Sequence, residues 1–394
     1  MPTAAKILKK SEKEFNYNLK GYILFWVGQL VSLLGSSIVQ FVIIWWITIE
    51  TKSGFFLAIS SFLGFGPGLI LTPIFGVFVD RWSRKKILIM TDFFQVLITI
   101  LLIYLFLANI ADIWSILVIV TIRGLLQAFQ RPVVQAIIPI MVPRENLSRI
   151  NGLDYLFNGV IRLIGAPTGA ILLSFWDITN ILWLDAFTFM IALIPTSLIT
   201  IPSVLSDSKN KNEVRKFRDD LTEGFIFIKN KHGLFSLLIV FTAANFFLRP
   251  IYVLLPLFVT EIHFGDASEL ALMLVAVQAG LITGSAVMST FKGFSNKATG
   301  VAVGIFLMYF GMFILSVAPP GMFWILAFGM FIMGFNLPVA NVSSQTIWQN
   351  VIPPEKLGRV YSVRRSVAQI SSPAATLATG IIVEAIGILP IYWV

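Results

Sequence analysis

The chain has 394 residues, of which 57% are apolar and 12% charged, and its net charge is +9. No soluble core can hide that much apolar surface, so lipid must be the solvent for much of the chain. Cysteine is absent, which excludes disulfides and thiolate metal sites.

Residues 1–20 carry Lys6, Lys9, Lys10, Lys13 and Lys20 and no long apolar run, so they read as a polar tail and not as a cleavable signal. About 20 apolar residues are needed for each crossing. By that measure eleven spans are predicted, at 21–49, 54–79, 87–109, 113–141, 154–175, 179–201, 234–260, 268–290, 298–318, 321–349 and 363–386. They divide into an amino-terminal bundle of six (21–201) and a carboxy-terminal part (234–394) in which five are visible. A polar stretch, 202–233, separates them. Within it Val214, Phe217, Leu221, Phe225 and Ile228 recur at three- and four-residue spacing. That predicts an amphipathic helix on a membrane surface, against the plainer reading of a solvated linker. The sequence stops at Trp393-Val394, where a twelfth helix could begin.

All but five of the 29 Lys and Arg residues lie in the tail or in alternate loops, at 80–86, 142–153, 202–233, 291–297 and 353–365. The positive-inside rule then places the amino terminus in the cytoplasm of a multi-pass protein of the cell membrane. The basic excess is therefore a topology signal and not a nucleic-acid footprint. Of the other five, Lys52 lies in an opposite loop, and Arg123, Arg131, Arg162 and Arg249 fall inside spans. A guanidinium at the centre of a span costs at least about 2.5–3.5 kcal/mol on insertion scales. Four of them imply a polar cavity or internal ion pairs. The intramembrane acids available as partners are Asp92, Asp154 and Asp185, with Glu384 at a helix end. His232 and His263 fall at helix ends. Nothing resembles a metal cluster, a nucleophile with its base or a phosphate loop, so neither enzyme activity nor a metal or other cofactor is expected.

The two halves echo each other. Val142-Pro143-Arg144-Glu145-Asn146-Leu147-Ser148-Arg149-Ile150 parallels Ile352-Pro353-Pro354-Glu355-Lys356-Leu357-Gly358-Arg359-Val360. Each segment follows a long predicted helix with a Phe-x-x-Pro step, Phe129 to Pro132 and Phe335 to Pro338.

Parallel six-helix repeats resemble the major facilitator superfamily, an all-α fold of two six-helix bundles with the substrate cavity between them. Gly76-Val-Phe-Val-Asp80-Arg81-Trp-Ser-Arg84-Lys85-Lys86 resembles motif A of that superfamily. The run from Arg123 through Arg131 and Pro132 resembles motif B, and Gly165-Ala-Pro167-Thr-Gly169 resembles motif C of the drug antiporters. The segment from Val142 to Leu153 is similar to the loop of macrolide-efflux-like and enterobactin-exporter-like transporters. A six-plus-six plan would leave helix twelve missing from this sequence. The second-half counterpart of motif A, Gly284 to Gly293, lacks the acid and most of the cations. Arg131 stands where the group usually has an uncharged side chain or histidine.

The resemblance implies a secondary active exporter of amphipathic small molecules, working by rocker-switch alternating access and proton antiport. A lipid or lysophospholipid carrier on the same fold, and a non-transporting membrane sensor, are the rival readings. Gly76, Asp80, Arg81 and Arg84 would form a latch, with Asp80 accepting from the start of helix eleven. Arg123 would tune a proton-carrying acid, with Asp185 the first choice and Asp154 and Asp92 behind it. Gly165, Pro167 and Gly169 would pack closely on another helix. Trp26, Gln29, Trp45, Arg131, Asn158, Arg162, Asn245, Arg249, Gln278, Asn336 and Asn341 are the predicted cavity residues, although Arg162 also suits an interfacial ion pair. The expected partners are substrate, protons and membrane lipid, with the protein acting as a monomer.

Overall fold

The computed structural model describes residues 18–201, 222–291, 293–353 and 356–393. Among them the chain is helical. In order the long helices are α1 (Leu19–Thr51), α2 (Gly54–Arg81), α3 (Arg84–Leu107), α4 (Ile113–Met141), α5 (Arg144–Leu173) and α6 (Ile178–Leu198). After a short helix over 222–229 come α7 (His232–Leu257), α8 (Ala267–Thr290), α9 (Lys297–Val317), α10 (Phe323–Val351), α11 (Leu357–Ile386) and α12 (Leu389–Trp393). A π-helical turn, Phe258–Ile262, prolongs α7. Ten of these helices are long and apolar enough to cross a membrane, so the protein is a multi-pass membrane protein.

The predicted spans match these helices, with two informative differences. α5 starts at Arg144, ten residues before the apolar run predicted to begin at 154. Its first turns are polar, and an apolar-length criterion cannot see a helix that continues beyond the hydrocarbon. α11 likewise starts at Leu357 and not at 363, with Arg359, Ser362, Arg364 and Arg365 in its first turns. α12 is a five-residue helix at the place predicted for a twelfth. Tyr392 anchors it: the ring stacks on Phe258 at 3.9 Å between centroids and the hydroxyl donates to the Ile251 carbonyl at 3.0 Å.

The helices form two compact units, one within Met1–Val42 and Leu63–Asp207, the other within Ile43–Phe62 and Ser208–Val394. The boundary differs from the sequence division at 202–233 because the turn joining α1 to α2 belongs with the second unit. There Gly54 lies against Leu254 and Val383, and Lys52 faces Glu261 at 3.9 Å.

The repeated loops are built alike. Val142 and Ile352 each cap the preceding helix, donating to Ile138 and Trp348. Four residues on, Asn146 donates to Pro143 and Lys356 to Pro353, at 2.9 and 3.0 Å. Val142 and Ile150 are buried in an apolar cluster with Tyr22, Leu88 and Ile137, and their counterparts Ile352 and Val360 in one with Ile228, Leu238 and Trp348. Of the predicted surface helix, Val214, Phe217 and Leu221 lie outside the described residues. Its remainder is helical over 222–229, and it is not simply amphipathic on lipid: Ile228 is fully buried, and Glu223 pairs with Arg359 and Lys356 of the second repeat.

Candidate functional site: a polar cavity in the first unit

The first unit encloses a cavity of about 310 Å³ walled by five helices. α1 presents Trp26, Gln29, Leu30, Ser32, Leu33 and Ser36, at the three- and four-residue spacing of one helix face. α4 presents Gln127, Gln130, Arg131, Val134 and Gln135 in the same way. From α5 come Asp154, Asn158 and Arg162, spaced four apart and therefore stacked on one stripe. Gln95 of α3 and Phe189 of α6 complete the wall. The α1–α5 contact is close because motif C supplies it: a Cβ on Gly165 would collide with Ser37, and one on Gly169 with Phe41. Gly165 and Gly169 thus pack on α1, as small residues do between membrane helices.

Behind the cavity lie two buried carboxylates in different surroundings. Asp185 is fully buried and has a charged partner. Arg123 Nη2 donates to its Oδ2 at 2.7 Å, Thr99 Oγ1 donates to the same oxygen at 3.1 Å, and Ser36 Oγ donates to Oδ1 at 3.3 Å. Arg123 Nη1 also donates to Thr99, and its guanidinium lies 5.8 Å from the centre of the Phe189 ring. Arg123 and Asp185 therefore meet, which the sequence left open. Asp92 is equally buried but has only amides around it. Gln130 Nε2 donates to Oδ1 at 2.7 Å and Gln29 Nε2 to Oδ2 at 3.3 Å. Gln130 Nε2 also reaches Gln29 Oε1, and Gln95 Nε2 reaches Gln130 Oε1, both at 3.1 Å. Gln95 Oε1 is buried and accepts nothing among the described residues. Sequence reasoning kept Asp92 behind Asp185 and did not single out Gln95 or Gln130. Their spacing on α3 and α4 was the available signal.

Asp154 lines the cavity and accepts from Trp26 Nε1 at 2.9 Å, with Phe157 edge-on to the Trp26 ring. Arg131 and Arg162 front the same cavity, are solvent-accessible, and make no ion pair among the described residues. Arg162 is therefore a wall residue here and not an interfacial ion-pair partner.

Of the predicted cavity residues, Trp26, Gln29, Arg131, Asn158 and Arg162 come together in this unit. Trp45, Asn245, Arg249, Gln278, Asn336 and Asn341 belong to the second. There Arg249 donates to Thr376 at 3.1 Å, and Asn245 and Asn336 turn back on the carbonyls of Phe241 and Ile332 in their own helix. The predicted latch residues Gly76, Asp80 and Arg81 lie in the last turns of α2, with side chains outside the described set. Arg84 opens α3, and its Nε and Nη1 are buried without a partner among the described residues.

The sequence profile described as the Major Facilitator Superfamily matches residues 25–376. Macrolide efflux protein A of Streptococcus pyogenes is 29% identical over 381 residues, covering 96% of this chain and 92% of that protein. Its namesake from Enterococcus faecalis is 28% identical over 317 residues, or 79% of this chain and 96% of that one. Among solved structures, a point mutant of the nucleoside transporter NupG aligns with a TM-score of 0.72 at 11% identity, covering 95% of both chains. A bacterial homologue of the iron transporter ferroportin, inward-facing, aligns at 0.68 and 12%, again over 95% of both chains. These two show the fold alone.

Proposed function

This chain belongs to the major facilitator superfamily, and we propose that it is a proton-driven exporter of amphipathic small molecules. The observation that carries the reading is the cavity of the first unit, whose wall combines the Trp26 and Phe189 rings with a dense set of amide and charged groups. An apolar body and a polar head would both find partners there. The resemblance to proteins named for macrolide efflux supports the direction of transport. The basic tail and alternate loops support a cytoplasmic amino terminus in the cell membrane. Alternating access by a rocking of two bundles follows the architecture of the superfamily. In that cycle Asp80, with Arg84 beside it, would close the latch at the α2–α3 turn.

The proton is assigned to Asp92 in preference to Asp185 or Asp154. Asp185 has a counter-charge and three donors and is stable as an anion. Asp92 has hydrogen bonds but no cation, and a buried unpaired charge costs several kcal/mol. Taking up a proton removes that cost. Gln29 and Gln130 touch both the acid and the cavity, and Gln95 joins them through Gln130, so a proton on Asp92 and a ligand in the cavity share one network. Arg123 pairs with Asp185 and Thr99 and so joins α3, α4 and α6.

The test uses inside-out vesicles carrying the full chain with an acid interior and a panel of labelled amphipaths that includes a macrolide. Accumulation that collapses with a protonophore is expected. Asp92→Asn should abolish accumulation and retain ligand exchange without a gradient. Gradient-driven accumulation at wild-type level by Asp92→Asn would remove the acid from the mechanism, and failure to accumulate any of the panel would remove export of these compounds.

A further inference from the structure

We propose that the cavity selects substrates bearing an anionic head, a carboxylate or phosphate held between Arg131 and Arg162; this deepens the export reading and rests on it. The charge inventory around the cavity is the reason. Five charged side chains lie in or directly behind it: Arg123, Arg131, Arg162, Asp154 and Asp185, with Asp92 as a sixth that has no cation of its own. Arg123 and Asp185 neutralise each other. Asp154 accepts from the neutral Trp26 indole and keeps its own charge, which offsets one of the remaining cations. Arg131 of α4 and Arg162 of α5 both line the cavity. Two cations against one carboxylate, with Asp92 protonated, leave a place for one more negative group.

No other part of the described chain supplies that negative charge from mid-helix. Every remaining acid in a described helix, from Glu50 and Glu145 to Glu261, Glu269 and Glu384, lies within three residues of a helix end. Along their helices the two arginines lie deep. Arg131 is ten residues from the end of α4, about 15 Å at 1.5 Å per residue, and Arg162 is eleven from the end of α5. Water screens poorly at such depth, so a ligand charge there is read strongly.

The chemistry of the donors narrows the class further. Two guanidinium forks present planar pairs of N–H groups that match a carboxylate or phosphate. Asn158 lies one turn from Arg162 on the same stripe, and Gln127 and Gln135 lie one turn either side of Arg131, adding neutral donors to the same face. The Trp26 and Phe189 rings offer contact to an apolar body next to that head. An amine-bearing amphipath would meet two cations and find one carboxylate, already hydrogen-bonded. The fitting ligand is thus an amphipathic anion, and a cationic drug is selected against.

The experiment measures binding, so it stands apart from transport. The full chain in phosphatidylcholine nanodiscs is titrated with 11-(dansylamino)undecanoate, its primary amide and the ammonium analogue of equal length. The carboxylate should bind at least about tenfold more tightly than the other two. Arg131→Gln and Arg162→Gln should each erase most of that preference, and Arg131→Lys should keep the larger part of it. Monodispersity and thermal unfolding of the Gln variants check that they are folded. Equal affinity for the three probes, preference for the ammonium, or a carboxylate preference surviving both Gln variants would overturn the inference. Displacement of the probe when phosphatidylglycerol replaces part of the disc lipid would give the site to a lipid headgroup and overturn it as a substrate site. A carboxylate preference without proton-linked accumulation would defeat the export reading and leave this one standing. An ammonium preference with accumulation would do the reverse.

Discussion

The two units solve helix packing by different means. In the first, polar side chains cross between helices: Arg123 with Asp185, Gln130 with Asp92 and Gln29, Trp26 with Asp154. Backbones come close in both: a Cβ on Gly124 would collide with the Gly64 carbonyl in the first, and in the second one on Gly280 would collide with the Phe331 carbonyl, one on Gly334 with the Val277 carbonyl, and Gly311 meets Gly329. In α8, α9 and α10 of the second, dispersion at close range is the main device. The proposed proton and ligand chemistry would then belong to the first unit.

The contrast breaks most visibly at Arg123. Replacing it by alanine leaves Asp185 buried without its cation, which should cost about 3–5 kcal/mol. Arg123→Ala with Asp185→Asn should regain much of that loss, because the stranded charge is gone. Thermal unfolding of the purified variants, followed by monodispersity, checks both. A double variant no more stable than the single would show that the pair does not act as a unit.

A change of the opposite kind sharpens it. Gly334→Ala in the second unit inserts one methyl against a backbone carbonyl and should cost about 1–3 kcal/mol by overpacking. Its effect should fall on stability, with the pH dependence of transport in surviving protein unaltered. A shifted pH profile would show that the proton chemistry is not confined to the first unit. Smaller still, Tyr392→Phe removes the hydroxyl bond to Ile251 while keeping the stack on Phe258, and should cost about 1 kcal/mol.

The smallest effect is set by pH. His263 follows the π-turn, is almost wholly buried between Phe258 and Phe323, and has an Nδ1 without a partner. Burial holds its pKa below the ordinary value, although a hydrogen bond with the Pro319 backbone opposes this. The unfolded chain then binds a proton that the folded chain resists, so stability falls as pH drops below about 6.5. His263→Gln should flatten the stability profile between pH 7 and 5, measured by thermal shift. An unchanged slope would move the acid sensitivity elsewhere.

Helix positions were legible in the sequence because each apolar run has to match the thickness of lipid. The repeat was legible too, since Val142 and Ile352 occupy equivalent caps. The polar starts of α5 and α11 were not, because an aqueous helical turn carries no apolar signature. Among site residues, Arg123 and Asp185 stood out as charges in hydrocarbon. Gln95 and Gln130 did not: a neutral amide costs less in a span, and only the fold reveals that Gln29 and Gln130 converge on Asp92 with Gln95 behind them. Nor does sequence separate Arg131 and Arg162 from Arg249. That distinction lies in which wall each side chain joins.

Gln130 and Arg131 are consecutive residues on one turn of α4. The first donates to Asp92, and the second borders the cavity. Anything that draws Arg131 inward also strains the amide beside it, and a proton arriving at Asp92 loosens that same amide. Linkage makes such an influence reciprocal: the factor by which an occupied cavity alters proton affinity at Asp92 equals the factor by which the proton alters affinity in the cavity. One peptide bond would thus let the two cargoes report on each other, with no signal having to travel along the length of a helix.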